Sequence, residues 1–432
     1  MKSTALKGLV LVMAAGFAAM GACGRKADAP AGASGEIRVF TFGYPPEKMA
    51  REQQAEVFQK RFPNIKVNME VSPDYDRKLT AMLAANDGPD IWEVCDDHFH
   101  MFSPDLTDLR PYIERDRVDL SIFYDRAING YILNDGMIEA LPIGLCPFVL
   151  AINKDLFREA GAAVPAGDSW TWDELLEAAG KITRGSGPSK VFGLGDHWVF
   201  QQTAPWYFGG RYYNNDFTEI LFDSPESVRG IQHFADLIWK YKVYPNFEEA
   251  SGVVANQRFF GGRSGIQAVN IRGLNDFITT IGDNFDWNIV RMPTTGETGE
   301  TPIWSIVQGY GIWRGSKNKE AAWAFTKWAT TDPESLAICA LAAVPPTKNA
   351  AEIVRAYNWE KKDLNTQALI NSIPDAILVQ PGGPFAQVAD IYNAFWDSVK
   401  KGETADMAQG AKDLAARGRV ILRSLNLSGV NK

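Results

Sequence analysis

The sequence predicts an α/β fold built on parallel strands, and three observations lead there. Ile65, Val67, Met69 and Val71 alternate with Lys66, Asn68 and Glu70, the period of a strand with one face buried. Residues 36–42 and 91–94 are short apolar runs closed by the breakers Gly43-Tyr44-Pro45-Pro46 and, ahead of the second, Gly88-Pro89, which marks them as buried strands. Helical spacing fills the intervals. Val57, Phe58 and Phe62 share one side of residues 47–62, and Leu79, Met82 and Leu83 stand at i, i+3 and i+4. Strand, helix, strand, helix, strand predicts parallel pairing through right-handed crossovers. In such sheets ligands bind beyond the carboxyl ends of the strands, where residues 43–47 and 95–98 fall.

The second half repeats the pattern. Residues 148–152 read as a strand, and a helix starts at Asp155. Thr171-Trp172-Asp173-Glu174 is a capping box, with Thr171 capping and Glu174 reaching back. Ser224-Pro225 caps and starts a helix that turns Val228, Ile231, Ala235 and Ile238 inward. Residues 265–271 and 287–290 are expected strands, and 317–329 and 333–343 expected helices, the latter opened by Asp332-Pro333. Helix is expected from Asn349 to the end, broken at Gln380-Pro381-Gly382-Gly383-Pro384.

The amino end sets the compartment. Lys2 and Lys7 precede an uncharged run to Ala22, too short for a spanning helix of ~20 residues, so it reads as a secretory signal. Residues 23–35 follow as a Gly/Ala/Pro-rich linker that can bury no core. Loss of Lys2 and Lys7 with the signal takes the net charge from −8 to −10. An acidic chain with scattered lysines argues against nucleic-acid partners and a polybasic membrane role. Cys95, Cys146 and Cys339 show no metal-ligand spacing; one disulfide with an odd thiol, or three separate thiols, both stay open.

The ordered motifs "FQKRFPNIKVNME", "LTAMLAANDGPDIWEV", "LTDLRPYI", "ALPIG", "LAINKDLFREAG", "SWTWDELLEAAGKI", "GGRSGIQAVNIRG", "WNIVRMP", "QGYGIWRGSKNKEAAWAFTKWATTDPES", "VPPTKN" and "GETADMAQGAKDLA" resemble the extracellular solute-binding proteins of family 1, the maltose-binding-type receptors of ABC importers. The resemblance runs from about residue 36 to 420. It implies the type II periplasmic-binding-protein fold, with two lobes on a three-segment hinge closing over a solute. The lobes would be 36–145 with 293–330, and 146–292 with 331–432, the chain leaving lobe one near Gly144-Leu145-Cys146. Met20-Gly21-Ala22-Cys23 resembles a lipobox, implying a lipoprotein signal over 1–22 and a lipid on Cys23. It further implies a monomer in the periplasm or on the outer face of the cytoplasmic membrane, serving ABC permease subunits.

Sugars offer apolar ring faces and many hydroxyls, so their sites pair stacking aromatics with planar polar groups. The resemblance places Trp206 and Phe385 at stacking positions and Tyr44, Asp97 and His98 at loop contacts; Trp304, just before a strand expected over 307–312, is a third stacking candidate. Arg272 opens a loop where relatives carry a tryptophan nearby and this chain has Leu274-Asn275. Cys146 stands where some relatives place glutamate. Both departures weaken a likeness to maltose specificity, and Arg272 would give hydrogen bonds to the solute or meet an anionic one.

The functional expectation is capture of a mono- or oligosaccharide. The alternative is a polyol phosphate or other anionic sugar derivative, which Arg272 and Arg211 favour and Asp96 and Asp97 oppose. In Asp96-Asp97-His98-Phe99-His100, alternate residues of an extended chain could converge on a metal, yet no second acidic or histidine group is an obvious partner, so neither metal nor cofactor is expected. A secreted glycoside hydrolase would need two carboxylates about 5–9.5 Å apart, and only Asp97 offers itself. GxSxG, HExxH and P-loop motifs are lacking, so no enzyme is expected.

Overall fold

The computed structural model describes residues 33–424 except 44, 96–101, 134, 166–168, 215–217, 255, 296–297, 357–360, 362 and 379–385. The strands are β1 (Gly35–Phe42), β2 (Ile65–Ser72), β3 (Ile91–Cys95), β4 (Leu141–Pro147), β5 (Val149–Asn153), β6 (Phe192–Leu194), β7 (Ser264–Val269), β8 (Trp287–Val290), β9 (Ile303–Ile312) and β10 (Ala376–Leu378). The chain divides into two compact units. The first takes the described residues up to Cys95 together with Phe102–Leu145 and Val307–Trp359; the second takes Cys146–Ile306 and the described residues beyond Glu360.

In the first unit β1 lies between β2 and β3 and pairs with both in parallel, Val39 opposite Met69 on one side and Ile91 on the other. β3 runs antiparallel to β9, and β4 pairs with β9. The β2 side chains of Ile65 and Val67 are buried while Lys66 and Asn68 are exposed, as alternation requires. The helix Pro45–Arg61 packs Phe58 against Phe325 and Trp328 of the helix Lys319–Thr331, with ring centroids 5.0 and 5.4 Å apart. The Gly-Pro-Asp corner before β3 has a structural duty. Asp90 accepts hydrogen bonds from the Arg38 amide (2.9 Å) and the Ser316 hydroxyl (2.5 Å), which ties β1 to the turn after β9.

One polar cluster lies inside this unit. Arg51 and Glu93 are both fully buried, 3.8 Å apart. Gln308 donates to Glu93, and so does the Cys95 thiol at 3.3 Å. Arg51 donates to Gln54 and to the Cys339 sulfur, each at 3.2 Å, and its guanidinium faces the Tyr310 ring. Buried charges persist only where partners replace the water they lost. Among the described residues Cys95, Cys146 and Cys339 are buried and form no disulfide, which resolves the pairing that spacing left open.

The second unit holds a four-stranded sheet in the order β6-β7-β5-β8, in which β6 is parallel to β7 and β5 antiparallel to both β7 and β8. The helices Trp172–Ile182, Pro225–Trp239, Ala386–Lys401 and Met407–Ser424 supply its core, with Trp396 edge-on to Phe234 at 5.0 Å. The capping box forms: Thr171 Oγ1 accepts the Glu174 amide at 3.2 Å and Glu174 accepts the Thr171 amide at 2.7 Å. Ser224 caps its helix through the Ser227 amide, and Asp332 caps through the Glu334 amide.

The differences from the sequence reading have local causes. The strand expected over 265–271 stops at Val269. Ile271 starts the helix Ile271–Ile281, because Ile271, Leu274, Phe277 and Ile281 form one buried helical stripe. Trp304 lies inside β9, not ahead of it. β10 is a three-residue strand in a stretch read as helical, held by parallel pairing with Ile303–Ser305. The unit boundaries also move. Residues 293–306 belong with the second unit, since the Thr294 amide donates to Trp170 O (2.7 Å) and the Trp172 amide to Thr294 O (3.2 Å). Residues 331–359 group with the first, where Arg61 pairs with Asp332 at 2.6 Å and Thr347 bridges to Phe123.

Candidate functional site

The carboxyl ends of β6 and β7 lie at one edge of the second unit's sheet, because these strands are parallel and adjacent. β5 runs the other way, so its first residue, Val149, pairs with Val269 at that same edge, and Phe148 precedes it there. β8 is antiparallel to β5 and leaves by this edge as well, at Val290. Four chain segments thus deliver side chains to one place, the position at which open α/β sheets bind ligands.

From β6 the chain makes a tight passage through Gly195-Asp196-His197 into the helix Trp198–Thr203. A Cβ at position 195 would meet Gln267 Oε1 at 1.8 Å, so glycine leaves room for the Gln267 amide that a side chain would displace. His197 caps the helix, its Nδ1 accepting the Val199 amide at 3.2 Å. Nδ1 is therefore the unprotonated nitrogen, and burial among aromatic rings pushes the imidazole pKa down to about 4.

Trp198 is left 42% exposed although its ring is large and apolar. It meets Phe148 edge to face, centroids 5.2 Å apart, and Trp304 likewise at 5.3 Å. Phe148 and Trp304 are joined through the backbone, the Phe148 amide donating to Trp304 O at 2.8 Å. The outcome is an aromatic corner in which two buried rings brace one that faces solvent. From β7, Asn270 occupies the N-cap of Ile271–Ile281 without a side-chain capping bond, and partly buried Arg272 follows in the first turn. Backbone N–H groups at a helix start together with a guanidinium suit hydroxyl or anionic oxygens.

The candidates named from sequence divide three ways. Trp304 and Arg272 come to this edge. Trp206 sits in the short 3₁₀ turn Ala204–Phe208, 4% exposed, edge-on to Tyr212 at 4.7 Å within the core of the second unit. Tyr44, Asp97, His98, Phe385 and Cys23 lie outside the described residues. Sequence reading missed Trp198 and Phe148. The available signal was a large aromatic directly after a Gly-rich turn, but β6, at three residues, is too short to show a period. Among the described residues no group of three or more His, Cys, Asp or Glu could hold a metal, and no helix is long and apolar enough to cross a membrane.

Residues 43–335, more than half of the chain, match the family described as bacterial extracellular solute-binding protein. The chain belongs to that family. Its members are receptors that bind solutes rather than enzymes. This solute-binding protein is 24% identical over 323 residues to a maltotriose-binding protein of Pyrococcus abyssi; the match covers 71% of this chain and 65% of that one. A putative binding protein of Brucella abortus is 25% identical over 413 residues, 90% of this chain and 94% of its own length. Among solved structures, an ABC substrate-binding protein from Listeria monocytogenes in complex with cycloalternan gives a TM-score of 0.76 at 26% identity, covering 90% of this chain and 98% of that one. The solute-binding protein has the type II periplasmic-binding fold, two α/β units in a single chain.

Proposed function

We propose that this solute-binding protein is the receptor of an ABC import system for a carbohydrate, a mono- or oligosaccharide, which it hands to permease subunits in the membrane. The observation that carries the reading is the aromatic corner of Phe148, Trp198 and Trp304 at the binding edge of the second sheet. An exposed indole braced by buried rings is a platform for the apolar face of a sugar ring, and Arg272 supplies the planar donor that hydroxyls require. The maltotriose-binding and cycloalternan-bound relatives support the same class of ligand. Tyr44, Asp97, His98 and Phe385 are proposed as further contacts. The receptor acts as a monomer outside the cytoplasmic membrane, tethered by a lipid on Cys23 and the linker that follows.

A second reading, an anionic sugar derivative, is favoured by the helix start at Ile271 with Arg272 beside it. Thermal shift of the mature protein across mono-, di- and trisaccharides, glycerol phosphate and sugar phosphates tests both. Stabilisation by neutral sugars supports the main reading, whereas stabilisation only by phosphates that fades with salt supports the second. No shift with any of them overturns both.

A further inference from the structure

The aromatic platform hangs on a short turn, and one hydroxyl holds that turn. Tyr244 is buried, with its ring edge-on to Phe234 at 5.1 Å and to Phe200 at 6.0 Å. Its backbone is fixed by the end of the helix Pro225–Trp239, since the Val243 and Tyr244 amides donate to Leu237 O at 3.0 and 3.2 Å. The Leu194 amide at the end of β6 donates to Val243 O at 2.9 Å, which docks the strand end beside the tyrosine. From this fixed position the phenol donates to Asp196 Oδ1 at 2.7 Å and accepts the His197 amide at 3.0 Å. Burial, then the neighbouring Asp196 carboxylate, keeps the phenol protonated, so its proton stays available to that carboxylate.

We infer that Tyr244 is a positioning residue for the solute platform: its hydroxyl clamps Asp196 and His197 and thereby fixes Trp198 before solute arrives. The inference rests on the carbohydrate reading for its functional meaning. Trp198 is exposed on one side and follows the clamped residues directly, and its indole rests against the clamped His197 ring, with centroids 5.4 Å apart, as well as against Phe148 and Trp304. Ordering a loop at the moment of binding lowers affinity, and a turn already held avoids that loss. The carboxylate of Asp196 is thereby turned to the phenol and serves the turn.

Tyr244→Phe keeps the ring against Phe234 and Phe200 and deletes only the hydroxyl. Two measurements decide the matter. The first needs no ligand: amide exchange at His197 and Val199 should accelerate at least tenfold in Tyr244→Phe, while exchange in β5 and β7 stays at the wild-type rate. The second is a double-mutant cycle with maltotriose as probe. Tyr244→Phe should raise Kd at least tenfold on its own and less than twofold in a Trp198→Ala background. Asp196→Ala should reproduce the same local exchange if the phenylalanine variant folds poorly. Unchanged exchange at 197 and 199 overturns the clamp. Equal losses of affinity with and without Trp198 overturn its link to the platform. If wild type takes up no maltotriose, the choice of sugar fails while the exchange measurement still judges the clamp.

Discussion

Trp198 and Trp304 meet edge to face, with ring centroids 5.3 Å apart and planes inclined by 83°. The first is 42% exposed and the second 8%, so one ring presents a face and the other supports it. Edge-to-face pairs are worth roughly 0.5–1.5 kcal/mol beyond the area they bury, enough to hold an indole that solvent would otherwise let swing.

Trp198→Ala should weaken sugar binding at least tenfold, a loss of ~1.4 kcal/mol or more, with little change in melting temperature. Trp206→Ala should do the reverse. Truncating that buried ring should cost about 3–5 kcal/mol of stability while the folded fraction binds normally. Titration calorimetry beside scanning calorimetry separates the two, and loss of affinity by Trp206→Ala at an unchanged melting temperature would move the platform to Trp206.

Removing one partner of the Arg51–Glu93 pair strands a charge where both are fully buried. Glu93→Ala should lower stability by about 3–5 kcal/mol, read as a shift of the urea midpoint. Arg51→Met combined with Glu93→Leu should recover most of the loss, because no unpaired charge then remains. A double variant as unstable as Glu93→Ala would show that the surrounding hydrogen bonds, not the charge, set the cost.

Acidification should destabilise the protein through His197 and His233. Burial lowers both imidazoles to about 4 from an ordinary 6.5, although Asp236 and Asp173 oppose the shift at His233. Above pH 6.5 both are neutral whether folded or unfolded, and their contribution is complete. Between 6.5 and about 4 the unfolded chain binds protons that the folded one refuses, so stability falls as pH falls, by up to ~1.4 kcal/mol per pH unit for each histidine. Melting temperatures from pH 7 to 5 should decline, and His197→Gln with His233→Gln should flatten the decline. An equal slope in that variant would assign it to other groups.

Three thiols should titrate in the denatured, unreduced mature protein once Cys23 carries lipid, since Cys95, Cys146 and Cys339 form no disulfide with one another. A count of one would mean that two of them pair.

Cys23→Ala should release the protein from the membrane fraction as an unlipidated form. Wild-type protein that is soluble and begins upstream of Cys23 would refute the lipid tether.

The sequence by itself determined the alternation of strand and helix, the parallel pairing of β1 with β2 and β3, and the helix starts at Thr171, Ser224 and Asp332. These depend on neighbours within a few residues: a period of two, an oxygen three residues from an amide, a proline at the first turn. Its ordered motifs also pointed to the family. Tertiary structure alone decided that Trp198 faces water and Trp206 does not, because the two stand eight positions apart in equally aromatic surroundings and differ only in what packs over them. It also decided that Arg272 opens a helix, that 376–378 is a strand and that Arg51 finds Glu93. In the last two cases the deciding partner, the paired edge of β9 or an opposite charge, lies far along the chain, and folding is what brings it near.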